Sequence, residues 1–135
     1  MKNFKIFLII FLIIISCNYN NKNNSISKIK DRAGNDIIIP KKIEKIICLS
    51  PSITEILIEI KEEDKIISVD SYSKEILEKN NISTSSMQIF DMMNPDVEKI
   101  ISLKPDIIFV NTFSVFSAKN SVDAIKNLGL SVAVI

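Results

Sequence analysis

The feature that most constrains the fold is the stretch of residues 45–59, KIICLSPSITEILIE, which combines an apolar run with a turn and a helical pattern. Four consecutive apolar residues at 46–49 are typical of a parallel strand that is covered on both faces. Ser50, Pro51 and Ser52 interrupt the run. Because open α/β sheets bind ligands beyond the carboxyl ends of their strands, this turn is a candidate ligand site, and a plain connection is the alternative.

The helical part of this stretch has its own start signal. Ser52 and Glu55 fit the Ser-x-x-Glu capping box, so we expect the helix to begin at Ser52. Four apolar residues recur at helical spacing and are predicted to pack back on the sheet. They are Ile53, Ile56, Leu57 and Ile60.

Further apolar runs and helical patterns alternate along the chain. Strands are predicted at 65–70, 107–110 and 130–135, and helices at 74–80 and 121–128, with a polar connection at 81–90. Strands that alternate with helices predict a parallel α/β sheet of Rossmann-like type, flanked by helices.

Another helix is predicted after residue 93. Asn94 is expected as its N-cap, Pro95 as its first residue and Asp96 in its first turn, where an acid favours the helix dipole. Glu98 would then face solvent. The residues expected to form the buried stripe are Val97, Ile100 and Ile101.

A β-hairpin is expected before the sheet, within residues 28–40. Gly34 and Asn35 can supply the positive φ angles of a tight turn, and apolar residues flank them on both sides.

Composition limits the classes of function. The 135 residues suit one domain, carry a net charge of +1, and include no histidine and only two glycines. The balanced charge does not indicate binding to nucleic acid, which would require an excess of basic residues. The sequence also has neither a Gly-rich phosphate loop nor a histidine that could act as a base. Cys48 is predicted to be a small buried hydrophobe, with a reactive thiol as the alternative.

The first 17 residues have the pattern of a targeting segment. Lys2 and Lys5 form a positive region, and residues 6–15 are apolar but too few to span a bilayer. The Ser16-Cys17 pair that follows resembles the bacterial lipobox. We expect residues 1–16 to be a lipoprotein signal peptide and Cys17 to be lipidated, with a simple N-terminal anchor as the alternative.

Residues 17–27 continue with an Asn-rich sequence, which cannot bury a core. We interpret this segment as a disordered tether between the lipid and a domain at residues 28–135.

Three motifs occur in order: DRAGNDIIIP at 31–40, LSPSITEIL at 49–57 and NPDVEKIISLKPDIIFV at 94–110. Together they resemble the periplasmic substrate-binding proteins of ABC importers for vitamin B12, ferric siderophores and haem. The resemblance implies two Rossmann-like lobes with the ligand between them, and it implies binding rather than catalysis. Residues 28–135 correspond to the N-terminal lobe.

The resemblance also implies ligand-binding positions at the ends of the strands. They are Ser50, Pro51 and Ser52, the aromatic Tyr72, either Phe90 or Met92, and Thr112. Tyr72 could stack on a flat macrocycle, and its alternative is a partly buried surface tyrosine. Phe90 and Met92 could equally belong to the core.

The resemblance assigns Glu98 to transporter docking, because a family glutamate at this position pairs with arginines of the importer's membrane subunits. The alternative is an acid that simply favours the start of its helix. The implied partners are therefore a ligand (an iron-siderophore, haem or cobalamin), the importer's membrane subunits, and a membrane on the cell envelope through the lipid anchor.

Two features depart from the family pattern. Residues 59–64, EIKEED, lack the glycines that are usual after the first helix, and the sequence stops within a predicted strand, before a second lobe. We interpret the chain as a truncated first lobe, a fragment or half of a split protein. The alternative function is a truncated or degenerate surface lipoprotein without transport activity. A Rossmann-like enzyme is disfavoured because no nucleophile–base pair is evident.

The intact mass of the native protein from the membrane fraction tests this interpretation of the N-terminus. We expect the mass to lack residues 1–16 and to include acyl chains, because the lipobox directs cleavage before Cys17. A mass equal to residues 17–135 plus acyl chains would also indicate that the chain stops at Ile135. A mass that still includes residues 1–16 would contradict it, and a mass about twice as large would identify the sequence as part of a two-lobed protein.

Overall fold

The structure, a computed structural model, describes residues 27–135. Its strands are β1 (Ser27–Lys30), β2 (Asp36–Ile39), β3 (Ile46–Leu49), β4 (Ile66–Asp70), β5 (Gln88–Phe90), β6 (Ile107–Val110) and β7 (Val132–Val134). Its α-helices are α1 (Pro51–Glu59), α2 (Ser71–Lys79), α3 (Val97–Leu103), α4 (Thr112–Ser117) and α5 (Lys119–Asn127), with a 3₁₀ turn at Glu63–Lys65. Among these residues, no helix is both long and apolar enough to cross a membrane.

Five parallel strands form the sheet, in the order β5-β4-β3-β6-β7. The chain runs outward from β3 through β4 to β5, and then returns to the other side of β3 at β6. This confirms the predicted Rossmann-like α/β sheet. Strand β5 was not predicted, because its three residues lie in a polar segment that we had interpreted as a connection.

The central strand β3 is buried on both faces. Ile46 and Cys48 contribute to one apolar cluster with α1 and α2, whereas Ile47 and Leu49 contribute to a second cluster with α3 and α5. All four side chains are at most 3% exposed. The continuous apolar run thus corresponds to a strand with helices on both sides, as predicted.

Helix α1 begins one residue before the predicted start. Ser50 is its N-cap and Pro51 its first residue, and no side chain caps the helix, so the predicted capping box of Ser52 and Glu55 is wrong. Proline is favoured at this first position because its missing N–H would have no helical partner. Ile56 and Ile60, expected in the core, are 51% and 59% exposed.

Helix α3 begins at Val97, with Asp96 as its N-cap, so the prediction of Asn94 as the cap is wrong. The Asp96 carboxylate accepts a hydrogen bond of 3.1 Å from the Lys99 N–H. Ile100 is fully buried, but Ile101, predicted to share its stripe, is 39% exposed.

The predicted hairpin is present as β1 and β2, with Gly34 at a φ of 81°. It lies against the outer edge of β7. The Arg32 N–H donates to the Val134 carbonyl at 3.0 Å, and the Val134 N–H donates to the Asp31 carboxylate at 3.3 Å. The predictions for the signal peptide, Cys17 and most of the tether fall on residues 1–26, outside the described residues.

The carboxylate of Asp106 joins the segments that precede β6 and β3. Its Oδ2 atom accepts hydrogen bonds from the backbone N–H groups of Glu44 and Lys45, at 2.8 Å and 2.9 Å. These two backbone bonds lower the pKa of Asp106 below its usual value. The ionised carboxylate therefore stabilises the sheet at its amino end.

We expect Asp106→Ala to lower the free energy of unfolding by about 1 kcal/mol at neutral pH, because two N–H groups lose a charged acceptor in a solvent-facing site. Since the folded-state pKa is depressed, this stabilisation is complete above the unfolded-state pKa of about 3.9 and is lost as the pH falls through the folded-state value. Urea unfolding at a series of pH values measures it. Glu75→Ala, which removes an exposed carboxylate on α2, is the control, and equal stability of Asp106→Ala and the parent at neutral pH would contradict the prediction.

Candidate functional site

The carboxyl ends of the parallel strands bring four connections to one edge of the sheet. They are residues 50–52 after β3, 71–72 after β4, 91–93 after β5 and 111–113 after β6. Strands β4 and β5 are added on one side of β3, and strands β6 and β7 are added on its other side. The carboxyl edge between β3 and β6 is therefore a topological switch point, the kind of place at which open α/β sheets bind ligands.

A groove of about 570 Å³ lies at this edge, beside β5. Tyr72 and Phe113 both line it and are 59% and 56% exposed, and Met93 is 45% exposed. A group of large apolar side chains that remains open to solvent is typical of a binding surface. The complete lining is Ser71, Tyr72, Ile89, Phe90, Asp91, Met92, Met93 and Phe113.

Asp70 positions Tyr72 in this groove. The carboxylate of Asp70 is fully buried; its Oδ1 accepts hydrogen bonds from the N–H groups of Tyr72 at 2.8 Å and Ser73 at 3.0 Å. Its Oδ2 accepts from the Ser73 hydroxyl at 2.6 Å. Asp70 is thus the N-cap of α2, which begins directly after β4 and three residues before the predicted start.

Asn111 has the same role at the end of β6. Its Oδ1 accepts hydrogen bonds from the N–H and the hydroxyl of Ser114, at 2.7 Å and 3.0 Å, and so caps α4. Its Nδ2 donates to the sulfur of Met92 at 3.4 Å. Asn111 therefore connects the end of β6 with the loop after β5, where Asp91 Oδ1 accepts a 2.7 Å hydrogen bond from the Met93 N–H.

The structure separates the predicted ligand residues into groups. Tyr72 and Met92 lie together in the groove, and Met92 is half-buried. Phe90 also lines the groove, but it is only 3% exposed and packs in the second apolar cluster, which favours the alternative that it is a core residue. Its burial follows from its place at the end of β5.

The turn after β3 and Thr112 do not line this groove. Ser52 and Thr112 are exposed at the same edge of the sheet, and Pro51 is half-buried. Ser50 is 1% exposed, and its hydroxyl has no hydrogen-bond partner among the described residues. Of the three turn residues, Ser52 is therefore the one whose side chain is freely available to a ligand.

Five of the eight lining residues were not among the predicted ligand residues: Ser71, Ile89, Asp91, Met93 and Phe113. Phe113 is the second residue of α4, a helix that the sequence did not reveal because its six residues are mainly aromatic and polar. Met93 adjoins Met92, and the pattern of the sequence did not distinguish which of the two faces solvent.

Glu98 and Cys48 lie away from the groove. Glu98 is exposed in the first turn of α3, as predicted. Cys48 is fully buried and accepts a 3.3 Å hydrogen bond from the Thr54 hydroxyl, and burial raises the pKa of its thiol to about 11. This confirms Cys48 as a core residue. No group of three or more His, Cys, Asp or Glu residues within 27–135 could hold a metal ion.

Comparison with known proteins defines the class. A family model described as periplasmic binding protein matches residues 46–132, and the chain belongs to this family. An uncharacterised ABC transporter substrate-binding lipoprotein of Bacillus subtilis, YvrC, is 33% identical over 107 residues, which cover 77% of this chain and 32% of that protein. The chain therefore spans about a third of the length of this curated relative.

Solved structures give the same assignment. A possible iron-binding, periplasmic solute-binding protein from Staphylococcus epidermidis is 29% identical, with a TM-score of 0.60 over 70% of this chain and 35% of that chain. The molybdate-binding protein MolA from Haemophilus influenzae has a TM-score of 0.67 at 23% identity, over 81% of this chain and 34% of that chain, and this likeness concerns the fold. The chain corresponds to the N-terminal lobe of these two-lobed proteins.

Removal of the Asp70 carboxylate should disturb both the fold and the groove. We expect Asp70→Ala to lower the free energy of unfolding by about 2–3 kcal/mol, because a buried cap with three donors is lost. Asp70→Asn retains an acceptor for the two N–H groups and should lose less. Urea unfolding gives the free energies, and Tyr72 amide exchange should accelerate in Asp70→Ala; protection equal to that of the parent would contradict this role.

Proposed function

We propose that this chain is part of a substrate-binding protein of an ABC importer, and that it captures a small ligand at the carboxyl edge of its sheet. The observation that carries the proposal is the solvent-open groove of aromatic and thioether side chains at this edge, in a member of the periplasmic binding protein family. The family is one of binding proteins, so the proposal assigns the chain no chemical step.

The ligand that the groove favours is an iron-siderophore, haem or cobalamin, because these molecules present large apolar or flat surfaces. Tyr72 offers a ring on which such a surface can stack, and Met92 offers a polarisable contact beside it. Ser52 and Thr112 lie at the same edge and provide hydroxyl groups. The Staphylococcus epidermidis relative is described as possibly iron-binding, and a haem-binding protein, HmuT, shares the fold with a TM-score of 0.60 at 17% identity.

The proposal places the protein in the cell envelope, held to a membrane by a lipid on Cys17. The lipobox-like sequence supports this position, and the Bacillus subtilis relative is described as a lipoprotein. In this position the groove would meet solutes on the outer side of the membrane that the importer crosses.

We further propose Glu98 as a docking contact for the importer's membrane subunits. It is exposed in the first turn of α3, where no apolar packing constrains it. An exposed carboxylate attracts an arginine of a partner at long range, and such pairs set orientation and association rate more than affinity.

The experiment combines a binding arm and a transport arm. Titration of the full chain with ferrioxamine, haemin or cyanocobalamin should give saturable binding to at least one of them. Tyr72→Ala should weaken that binding by about two- to tenfold, whereas Tyr72→Phe retains the ring and should bind like the parent. Leu128→Ala, at an apolar residue that is 60% exposed outside the groove, is the matched control.

Glu98→Arg should leave ligand binding unchanged and reduce ligand uptake by cells that depend on this protein, because it reverses the charge offered to the importer. Glu59→Arg, at the opposite end of α1 from the ligand edge, is the control. Normal binding with no uptake, even in the parent, would favour the alternative of a surface lipoprotein without transport activity. Absence of binding to every probe would overturn the proposal.

A further inference from the structure

We propose that the groove selects ligands of neutral or positive net charge that present an apolar face, and disfavours polyanions. This inference rests on the proposed function and concerns the same site. It follows from three observations on the charges and hydrogen-bond donors around the groove.

The first observation is the charge of the groove itself. Among the lining residues, Asp91 is the one with a charged side chain at neutral pH, and it is exposed. Glu75, also exposed, lies one helical turn after Tyr72 on α2, so that its position adds negative charge to the same side of the helix. An incoming anion therefore meets carboxylates and no lining cation.

The second observation concerns the helices that begin at this edge. Helix N-termini commonly bind anions through free N–H groups. Here the N–H groups of Tyr72 and Ser73 are bonded to the buried Asp70 carboxylate, and the Ser114 N–H is bonded to the Asn111 side chain. Three N–H groups that an oxyanion could use are thus already bonded, and the buried Asp70 adds a carboxylate next to the groove residues Ser71 and Tyr72.

At the start of α1 the same restriction has a different cause. Pro51 has no N–H group, and the N–H groups of Ile53 and Thr54 both donate to the Ser50 carbonyl, at 3.1 Å and 3.0 Å. The N-terminus of this helix therefore adds few donors for an anion to those of α2 and α4.

The third observation concerns the lysines on the surrounding helices. Lys74 on α2 lies 3.6 Å from Glu78, and Lys99 on α3 lies 3.1 Å from Asp96. Each lysine pairs with an acid of its own helix or its cap, which neutralises the charge that could attract an anion. The faces of Tyr72 and Phe113, by contrast, attract cations through their ring electrons.

Matched iron chelates test the charge preference. The full chain, in nanodiscs of phosphatidylcholine, is titrated with cationic ferrioxamine B, neutral ferrichrome, a trianionic ferric tris-catecholate and molybdate, with empty nanodiscs as the blank. We expect the cationic and neutral chelates to bind at least about tenfold more tightly than the tris-catecholate, since the one charged lining residue, Asp91, is a carboxylate and no lining cation offsets it.

Asp91→Asn provides the decisive variant, because an asparagine oxygen can still accept the hydrogen bond from the Met93 N–H. It should weaken binding of ferrioxamine B by about threefold, leave the affinity for ferrichrome unchanged and increase the affinity for the tris-catecholate. Asp64→Asn, in the 3₁₀ turn at the amino end of β4, is the control and should change none of them.

The outcomes separate this inference from the proposed function. Tight binding of the tris-catecholate or molybdate, or an Asp91→Asn variant with the parent's preferences, would overturn the charge preference and leave the binding function intact. If the folded chain, verified by circular dichroism, binds none of these probes and binds neither haemin nor cyanocobalamin, the proposed function is overturned and the charge preference with it.

Discussion

Burial of β3 on both faces is the constraint on which the rest of the structure depends. A strand with four consecutive apolar residues is stable only if helices cover both sides, and this requirement sends α1 and α2 to one face and α3 and α5 to the other. The chain must then return across β3 to place β6. That return creates a switch point at the carboxyl edge of the sheet, which is the edge on which the candidate site lies.

Local patterns in the sequence were sufficient to predict most strands of the sheet, but they did not predict the exact residues at which the helices begin. Apolar runs identify β3, β4, β6 and β7 because these segments are rich in isoleucine, leucine and valine. Strand β5 also has only three residues, but it begins with Gln88 and follows a polar segment, so it does not stand out. The start of α3 depends on which polar side chain turns toward the free N–H groups, and Asp96 does so rather than Asn94. Helix α1 begins at Pro51 after Ser50 without any side-chain cap, so the capping chemistry of Ser52 did not decide its start.

The candidate site was predictable to a similar extent. Tyr72 was selected because it follows a strand, and the groove contains it. For Phe90 the sequence left both a ligand-facing and a core position open, because the side to which a strand residue points is fixed only once the strand exists, and β5 had not been recognised. Phe113 was not selected because the cap that Asn111 gives to α4 brings it to the groove, and this cap depends on a side-chain contact rather than on a pattern of apolar residues.

The contact of the hairpin with β7 has a mechanical consequence. Asp31 and Arg32 bond to Val134, and the Ser131 hydroxyl donates to the Ile38 carbonyl at 2.7 Å, so the first described element is fastened to the last strand of the sheet. Any pull that reaches the domain from its N-terminal side is applied to these bonds and to the packing of Ile37 in the first apolar cluster, at the flank of the sheet. The hairpin would yield before the central strands, and the ligand edge would keep its shape under load.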